Sequence, residues 1–505
     1  MYALTDKKRN INYIIEAGVF LIYLIFNGIL LMRHELWRDE ANVWLMAREL
    51  SPLQLFREIK YQGHPCLWYL LVMPFAKLGL PFRSIGILSL SVMAVTAGLF
   101  LWKAPFYPLV KAVCVLSPIF TYFYADIARN YCLIALLLML LSWCYPRRNE
   151  KSLLYGILLG LLVQSDTIAL APAGMISLMW LFENVCACLK EKNLGPVKRI
   201  LSGIWIPLGS FFLWIAQFYQ VSDSPEFQVS SLGLREFLQE VRNYSFWILE
   251  RLTGQGESLC RIMLVLFLVL LLLVSIRIRN IAAFCVMVAS FLFEVIFSVI
   301  VYQLHFWHFI ALCFVLIWTI WVLYAQREDQ KQDGQKQNER ISGVALAGLQ
   351  ILLVLFAGFM MLQWNSEEEN SNLDNALQGL YSDGVHTAEF IGENISPDEI
   401  IVSTNVAIAS PVLAYLPADY QFYFGGNGQI ASYADYSKEQ SRQVCVEELL
   451  AWGRINFPEK REIYLLDSDG SCIIDREELK KFQVLYRTAQ ETARGEEYTV
   501  YCITL

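Results

Sequence analysis

The apolar runs of this chain have bilayer-matched lengths, and that constrains its fold more than any motif does. A hydrocarbon core of ~30 Å takes roughly 20 apolar residues of helix to cross. Runs near that length fall at residues 12–32, 84–102, 104–122, 131–145, 152–166, 168–189, 200–220, 258–276, 280–302, 309–325 and 342–364, eleven in all. The run at 131–145 is short and extends back to Asp126 if it crosses. Of the 505 residues, 56% are apolar and 17% charged, where a soluble protein carries about 25% charged residues. That deficit excludes an ordinary cytosolic enzyme, a disordered scaffold and a basic-faced nucleic-acid-binding protein. The fold class is a polytopic α-helical membrane protein of about eleven spans plus interfacial helices. Lys7, Lys8 and Arg9 precede the first run. That run outlasts a signal-peptide core and no small-residue cleavage site follows it, so it is expected to stay as a helix.

The net charge of −7 hides a split. From Glu367 onward there are 24 acidic and 10 basic residues, a balance of −14, against +7 for the rest. We therefore divide the chain into a membrane body, 1–365, and a soluble α/β domain, 366–505, long enough for its own core. In the tail, helical patterning covers 373–394 and 438–453, and strand-like runs cover 399–405, 462–467, 482–488 and 497–503. Residues 425–428, Gly-Gly-Asn-Gly, form a turn. The twelve cysteines show neither a disulfide framework nor a zinc spacing.

Sidedness follows from the basic loops. The stretch 65–80 contains Pro74 and Lys77 and is short for a crossing. If it lies in the interface, Lys103, Arg147-Arg148-Lys151, the basic loop 190–199, Arg277-Arg279 and the linker 326–340 all fall in the cytoplasm. If it spans, every one of them falls outside. The first arrangement is the expected one. It makes the N-terminus cytoplasmic. The loop 33–83, the turn at Arg129, the loop 221–257, the turn His305–His308 and the α/β tail are then extracytoplasmic.

Several polar groups gather on that outer side. Trp37-Arg38-Asp39-Glu40 follows the first span directly. A carboxylate there can take a proton from an acceptor hydroxyl or hold a divalent cation; the plainer alternative is a charged helix exit. Residues 41–59 alternate apolar and charged faces at helical spacing, broken at Ser51-Pro52, which suits pieces lying along the membrane plane. Gly63-His64-Pro65 comes next, where His64 alone suits a turn as well as a ligand. In the segment 122–131, Arg129 sits against the usual inside bias, flanked by Asp126 and Tyr131. Its fork of donors fits a phosphate, and snorkelling to lipid head groups is the alternative. His305 and His308, at i and i+3, can touch an anion or a metal, or belong to an aromatic belt. Asp166 lies near the outer end of its span, on the side of Asp39 and Glu40. Lys111 is expected to snorkel inward. Asp467-Ser468-Asp469-Gly470 imitates part of a calcium loop, but Leu465 and Arg476 would occupy its first and last ligand positions.

The ordered set of Trp37 through Pro65, the interfacial aromatic run behind it and Arg129-Asn130-Tyr131 resembles the GT-C-type polytopic glycosyltransferases. Within them it is similar to the glycosyltransferase 39-like group, which includes protein O-mannosyltransferases and the lipid A aminoarabinose transferase. The resemblance covers roughly residues 10–325; Cys66 stands where many relatives carry a second proline. It implies an integral enzyme of a bacterial cytoplasmic membrane. Such an enzyme transfers a sugar from a polyprenyl-phosphate carrier to a glycan, lipid or protein acceptor, by single displacement with inversion. Asp39 would be the general base, Glu40 would orient it or the acceptor, and Arg129 would meet the departing lipid phosphate. His305 or His308 would assist, and Arg38, His64, Tyr131 and Asp166 would line the substrate site. A divalent cation is compatible with this chemistry, and nothing in the sequence designates its ligands. The rival is a transporter or lipid flippase using intramembrane Glu16 and Glu294, although the two halves of the chain show no repeat.

Overall fold

The computed structural model describes residues 6–219, 232–332, 339–363, 373–437 and 439–505. Residues 221–231 of the expected outer loop and 333–338 of the expected linker lie outside the described residues. The chain begins with α1 (Asp6–Arg33), and the first loop folds into α2 (Arg38–Glu49), α3 (Pro52–Glu58) and α4 (Leu67–Lys77). The helical part continues through α5 (Ser84–Lys103), α6 (Pro108–Val115), α7 (Tyr131–Cys144), α8 (Ser152–Val163), α9 (Leu170–Glu191), α10 (Gly195–Phe218), α11 (Leu234–Thr253), α12 (Glu257–Arg277), α13 (Ile281–Ile300), α14 (Phe306–Gln332) and α15 (Glu339–Leu362). Among the described residues, eight of these (α1, α5, α9, α10 and α12 to α15) are long and apolar enough to cross a membrane. The protein is an integral membrane protein.

Three expected spans are shorter. α7 and α8 have 14 and 12 residues. The run 104–122 differs most: only α6 is helical, 8 residues or about 12 Å. Pro105 and Pro108 confine its start, and Pro118 removes an amide donor just beyond its end. The chain then runs in buried turns as far as Asn130. Irregular backbone at such depth needs partners from the protein, and it has them. Tyr23 Oη donates to the Phe120 carbonyl at 3.2 Å, and Ser89 Oγ donates to that of Tyr124 at 3.1 Å. The Tyr122 amide, in a residue held at φ +60°, donates to Asn27 Oδ1 at 3.2 Å. Lys111 does not snorkel: it is buried, and its Nζ pairs with Glu16 at 2.5 Å. Two opposite charges in an apolar interior stabilise one another where either alone would be costly, so Glu16 is committed to a structural pair.

α4 has 11 residues, as short as the sequence of 65–80 suggested. α2 departs from expectation. In place of an open polar face it is buried from Glu40 through Ala47, between α4 and a helix of the tail. The break between α2 and α3 falls at Ser51, whose Oγ accepts from the Gln54 amide in a capping box. α11 forms as an amphipathic helix with Leu234 and Leu238 exposed.

The tail holds α16 (Leu373–Gln378), α17 (Gly384–Asn394), α18 (Val406–Tyr415) and α19 (Val446–Asn456). Its five strands are β1 (Ile401–Ser403), β2 (Phe422–Phe424), β3 (Glu462–Ser468), β4 (Gln483–Arg487) and β5 (Tyr498–Thr504), in the order β2-β1-β3-β5-β4. β1 pairs parallel with β2 and β3, and β5 pairs antiparallel with β3 and β4. Strand alternation gives the sheet two apolar faces. Val402, Leu465, Tyr501 and Ile503 build one small core. Ile401, Leu466 and Val500 face the other way and join the large core that runs through the helices. α18 packs on α2, so the sheet domain is seated on the first loop. Pro411 interrupts the hydrogen bonding of α18, and Ser410 Oγ takes over the Ala407 carbonyl at 2.7 Å.

α8 and α10 meet through glycines. A Cβ on Gly203 would collide with the Ser152 carbonyl, and one on Gly156 with the backbone of Gly203. Such backbone contact is how small residues drive helix association in membranes. Gly203→Val should lower the melting temperature in detergent, by an overpacking cost of about 1–3 kcal/mol. Gly209→Ala, whose Cβ meets nothing within 4 Å, should leave it unchanged. Equal melting temperatures for the two variants would refute the close contact.

Candidate functional site

The site begins where α1 ends. Trp37, in extended backbone, is the N-cap of α2, and Asp39 and Glu40 occupy its first turn, where the helix dipole favours acids. Neighbours on a helix are turned about 100° from one another, so the two carboxylates diverge. Glu40 points inward with no exposed side-chain surface. Its Oε2 accepts from His34 Nε2 (3.1 Å) and the Trp37 amide (3.0 Å), and its Oε1 accepts from the Ala128 amide (2.6 Å). It fastens α2 to the segment beside Arg129 and makes no contact with Asp39. Where the sequence suggested that Glu40 orients Asp39 or the acceptor, the structure shows Glu40 bonded instead to His34 and to two backbone amides.

Asp39 points the other way, with 29% of its side chain exposed, and pairs with Arg129 Nη1. Arg129 Nη2 lies 2.6 Å from His64 Nε2. A guanidinium only donates, so Nε2 accepts, which puts the His64 proton on Nδ1. That nitrogen stands 3.0 Å from Asp166 Oδ2, close enough for an ion pair but outside hydrogen-bond geometry. Asn130 Nδ2 donates to the same oxygen at 2.6 Å, and the Ile168 amide to Oδ1 at 2.9 Å. Asp39, Arg129, His64 and Asp166 thus form a continuous chain. Arg129 is buried, and its Nε has no hydrogen-bond partner among the described residues. Burial alone would raise the pKa of Asp39; the Arg129 guanidinium, with Arg38 and Arg494 behind it, outweighs this and holds the carboxyl below its usual range.

Neighbouring helices fix the His64 turn. Thr167 Oγ1 donates to the Gly63 carbonyl at 3.0 Å, and the Cys66 amide donates to Gln217 Oε1 at 2.9 Å. Gln217 is tied in turn to Gln164 at 2.7 Å. Tyr131 stands edge-on to the His64 ring, with centroids 6.0 Å apart. Its hydroxyl meets His308 Nε2 at 2.9 Å. His308 Nδ1 lies 3.0 Å from the backbone nitrogen of His305 and 3.1 Å from its oxygen, so both ring nitrogens are engaged. His308 therefore backs the site through Tyr131. His305, exposed, stacks on Trp307 at 4.4 Å. Arg38 turns toward the tail: its amide donates to Glu496 Oε1 at 3.1 Å and its Nε lies 4.0 Å from the same oxygen.

The structure therefore brings together Asp39, Arg129, His64 and Asp166, with Tyr131 and His308 behind them. Among the described residues no three of His, Cys, Asp and Glu gather as a metal site. The imitation calcium loop is committed elsewhere, since Asp467 accepts from Thr404 Oγ1 at 3.0 Å and pairs with Arg476 at 2.7 Å. Sequence reasoning missed the groups the tail contributes: Glu496, Arg494 and Tyr381, along with the Asn42–Gln62–Ala434 link (2.7 and 2.8 Å). The only local signal was the i, i+2 spacing of Arg494 and Glu496 just before a strand.

This architecture is an ArnT-like fold. No family model matches the sequence, and no curated protein sequence matches it. Among solved structures the chain is similar to the crystal structure of ArnT from Cupriavidus metallidurans in the apo state, with a TM-score of 0.55, 12% identity and 97% of each chain covered. The structure of ArnT from Cupriavidus metallidurans bound to undecaprenyl phosphate aligns with a TM-score of 0.42, again at 12% identity over 97% of each chain. At that identity the likeness is one of fold.

Two acids at the seam between the first loop and the tail titrate near neutrality. Burial pushes Glu35 up to about 7 and Glu496 up to about 7 from an ordinary value of 4.5. Their folded pKa lies above the unfolded one, so the stability they confer is present in full below about 4.5. It is lost as pH rises through 7. A shift of that size corresponds to about 3 kcal/mol per group. The melting temperature should therefore fall between pH 5 and pH 8, and Glu496→Gln, which keeps an acceptor for the Arg38 amide, should flatten the fall. An identical slope in wild type and variant would contradict this.

Proposed function

We propose that the protein is a membrane glycosyltransferase that moves a sugar from a polyprenyl-phosphate carrier to an acceptor hydroxyl on the extracytoplasmic side, with inversion. The observation that carries this reading is Arg129. It is a buried guanidinium, in an ArnT-like fold, whose Nη1 and Nη2 hold Asp39 and His64 while Nε is unbonded among the described residues. A phosphate is an anion that its fork of donors fits. The positive-inside reading of the basic loops supports an extracytoplasmic first loop and tail.

In the proposed reaction the acceptor oxygen attacks the anomeric carbon from the face opposite the phosphate. The bond between that carbon and the phosphate oxygen breaks, and the lipid phosphate leaves with the electron pair. Arg129 stabilises the charge that grows on it. The hydroxyl proton passes to Asp39. While Arg129 grips Asp39, that carboxylate is a poor base. An arriving phosphate competes for the same guanidinium, loosens the grip and lets the pKa of Asp39 rise. Donor binding would thus arm the base. His64, braced by Asp166, keeps Arg129 in place as it changes partner. The acceptor is a glycan, lipid or protein hydroxyl.

The test is transfer of labelled sugar from a panel of polyprenyl-phosphate sugars in membranes containing the full chain. Loss of a general base costs about 10²–10⁴-fold, and Asp39→Asn should lose transfer by that factor at unchanged expression. Full transfer by Asp39→Asn would remove Asp39 from the base role. Absence of transfer from every polyprenyl-phosphate donor, with the protein folded, would overturn the donor class.

A further inference from the structure

The connection between β4 and β5, rather than the sheet itself, reaches the first loop. Glu496 on this connection holds the start of α2 through the Arg38 amide. Arg494, two residues earlier, lies over three aromatic rings. Its guanidinium carbon is 4.5 Å from the centroid of Trp37, 5.1 Å from that of Trp307 and 4.8 Å from that of Tyr381. Its Nε and Nη2 donate to Tyr381 Oη at 2.7 and 2.5 Å. Trp37 caps the helix that carries Asp39, and Trp307 stands between His305 and His308. One cation is thus clamped between the two membrane-body segments that flank the site. Arginine suits this place by its flat face over indole. Packing alone would be met as well or better by an apolar side chain, because an enclosed charge is costly.

We propose that Arg494 is a positioning residue of the Asp39 site supplied by the C-terminal domain. Its charge, fixed between Trp37 and Trp307, keeps Asp39 ionised when Arg129 turns to the phosphate. This rests on the reading of Asp39 as the proton acceptor. The cations facing Asp39 are Arg38 on its own helix, Arg129 before α7 and Arg494, and the imidazole of His64 after α3 faces it as well. Glu496 on the tail, Tyr69 on α4, Tyr131 on α7, Tyr381 before α17 and His305 before α14 complete the titratable surroundings. Among the described residues, Arg38 and Arg494 are the arginines facing Asp39 that remain once Arg129 is engaged.

The test follows the protonation of Asp39 by carbodiimide modification, which takes the protonated carboxyl, in purified full-length protein across pH 3–8. The adduct is read by mass spectrometry, with Asp39→Asn as the blank. Arg494→Gln, and Arg494→Met, which keeps a flexible chain on the rings, should both move the midpoint up by about one pH unit. Arg494→Lys, which keeps the charge, and Tyr381→Phe, which removes only the hydrogen bond, should leave it in place. An unmoved midpoint in both charge-removing variants, with wild-type melting temperature, overturns the proposal. So does an equal shift in Tyr381→Phe, because packing rather than charge would then be responsible. The acid limb of transfer should move with the midpoint. A midpoint that moves while the acid limb stays fixed supports the electrostatic role of Arg494 and overturns Asp39 as the base, so the two failures are distinguishable.

Discussion

A guanidinium that cannot give up its proton is enclosed at Arg129, and most of the surrounding structure is a response to it. A buried charge needs an opposite charge and acceptors within reach. Asp39 supplies the first and His64 the second. His64 can accept only with its proton on the other nitrogen, which calls for an acid there, and Asp166 provides it. Asp166 is then oriented by Asn130, the neighbour of Arg129. The chain closes on itself and draws Asp39 and His64 from the first loop, Arg129 and Asn130 from the turn before α7, and Asp166 from the turn before α9. None of these segments could shift far without leaving a charge unpaired. The irregular backbone from Ser117 to Asn130 is the cost of delivering Arg129 to that point, and Tyr23, Asn27, Ser89 and Glu40 offset it by bonding the freed backbone groups.

The same requirement reaches the tail. Asp39 is useful only if α2 starts in one fixed place, and groups beyond residue 366 hold that start. Tyr415 Oη accepts from the Leu36 amide at 3.1 Å, Glu496 accepts from the Arg38 amide, and Ala434 is bonded to Asn42 at 2.7 Å. One apolar core also runs from the helices into one face of the sheet. Division at 365/366 describes where the composition and charge of the chain change. The contacts that fix the site cross that division.

Much of this was legible in the sequence, for identifiable reasons. Apolar length betrays a spanning helix because the bilayer sets the length, and eight runs became such helices. The shortness of α4 was legible in Pro74 and Lys77, which limit the apolar stretch 65–80. In the tail four strand-like runs became β1, β3, β4 and β5. β2 escaped notice because three residues carry no periodicity, and α18 did because Pro411 breaks its pattern and Ser410 repairs it out of view of local rules. Hydrophobicity placed a span at 104–122, where three prolines forced α6 and a run of turns. Arg129 was legible because a cation outside the positive-inside pattern calls for explanation. Its partner His64 lies 65 residues away, and Arg494 lies more than 400 residues from the Trp37 ring it covers; only tertiary packing reveals such pairings.

The acidic pair shows why adjacency in sequence misleads about shared chemistry. On a strand, neighbours face opposite sides; on a helix they differ by about 100°, and neither geometry lets residues i and i+1 work side by side. Glu40 could not assist Asp39 without unwinding the first turn of α2. Its capping geometry, with the carboxylate bent back to the Trp37 amide, prevents that unwinding. Each acid therefore has the environment that suits a different task. Glu40 has every oxygen occupied by donors and no exposure, which suits a group that must not react. Asp39 has one strong partner and an open side, which suits a group that must exchange partners. The two acids are coupled all the same: Glu40 holds the Ala128 amide, and Ala128 is joined to Arg129, so the buried acid fixes the cation that its exposed neighbour must release.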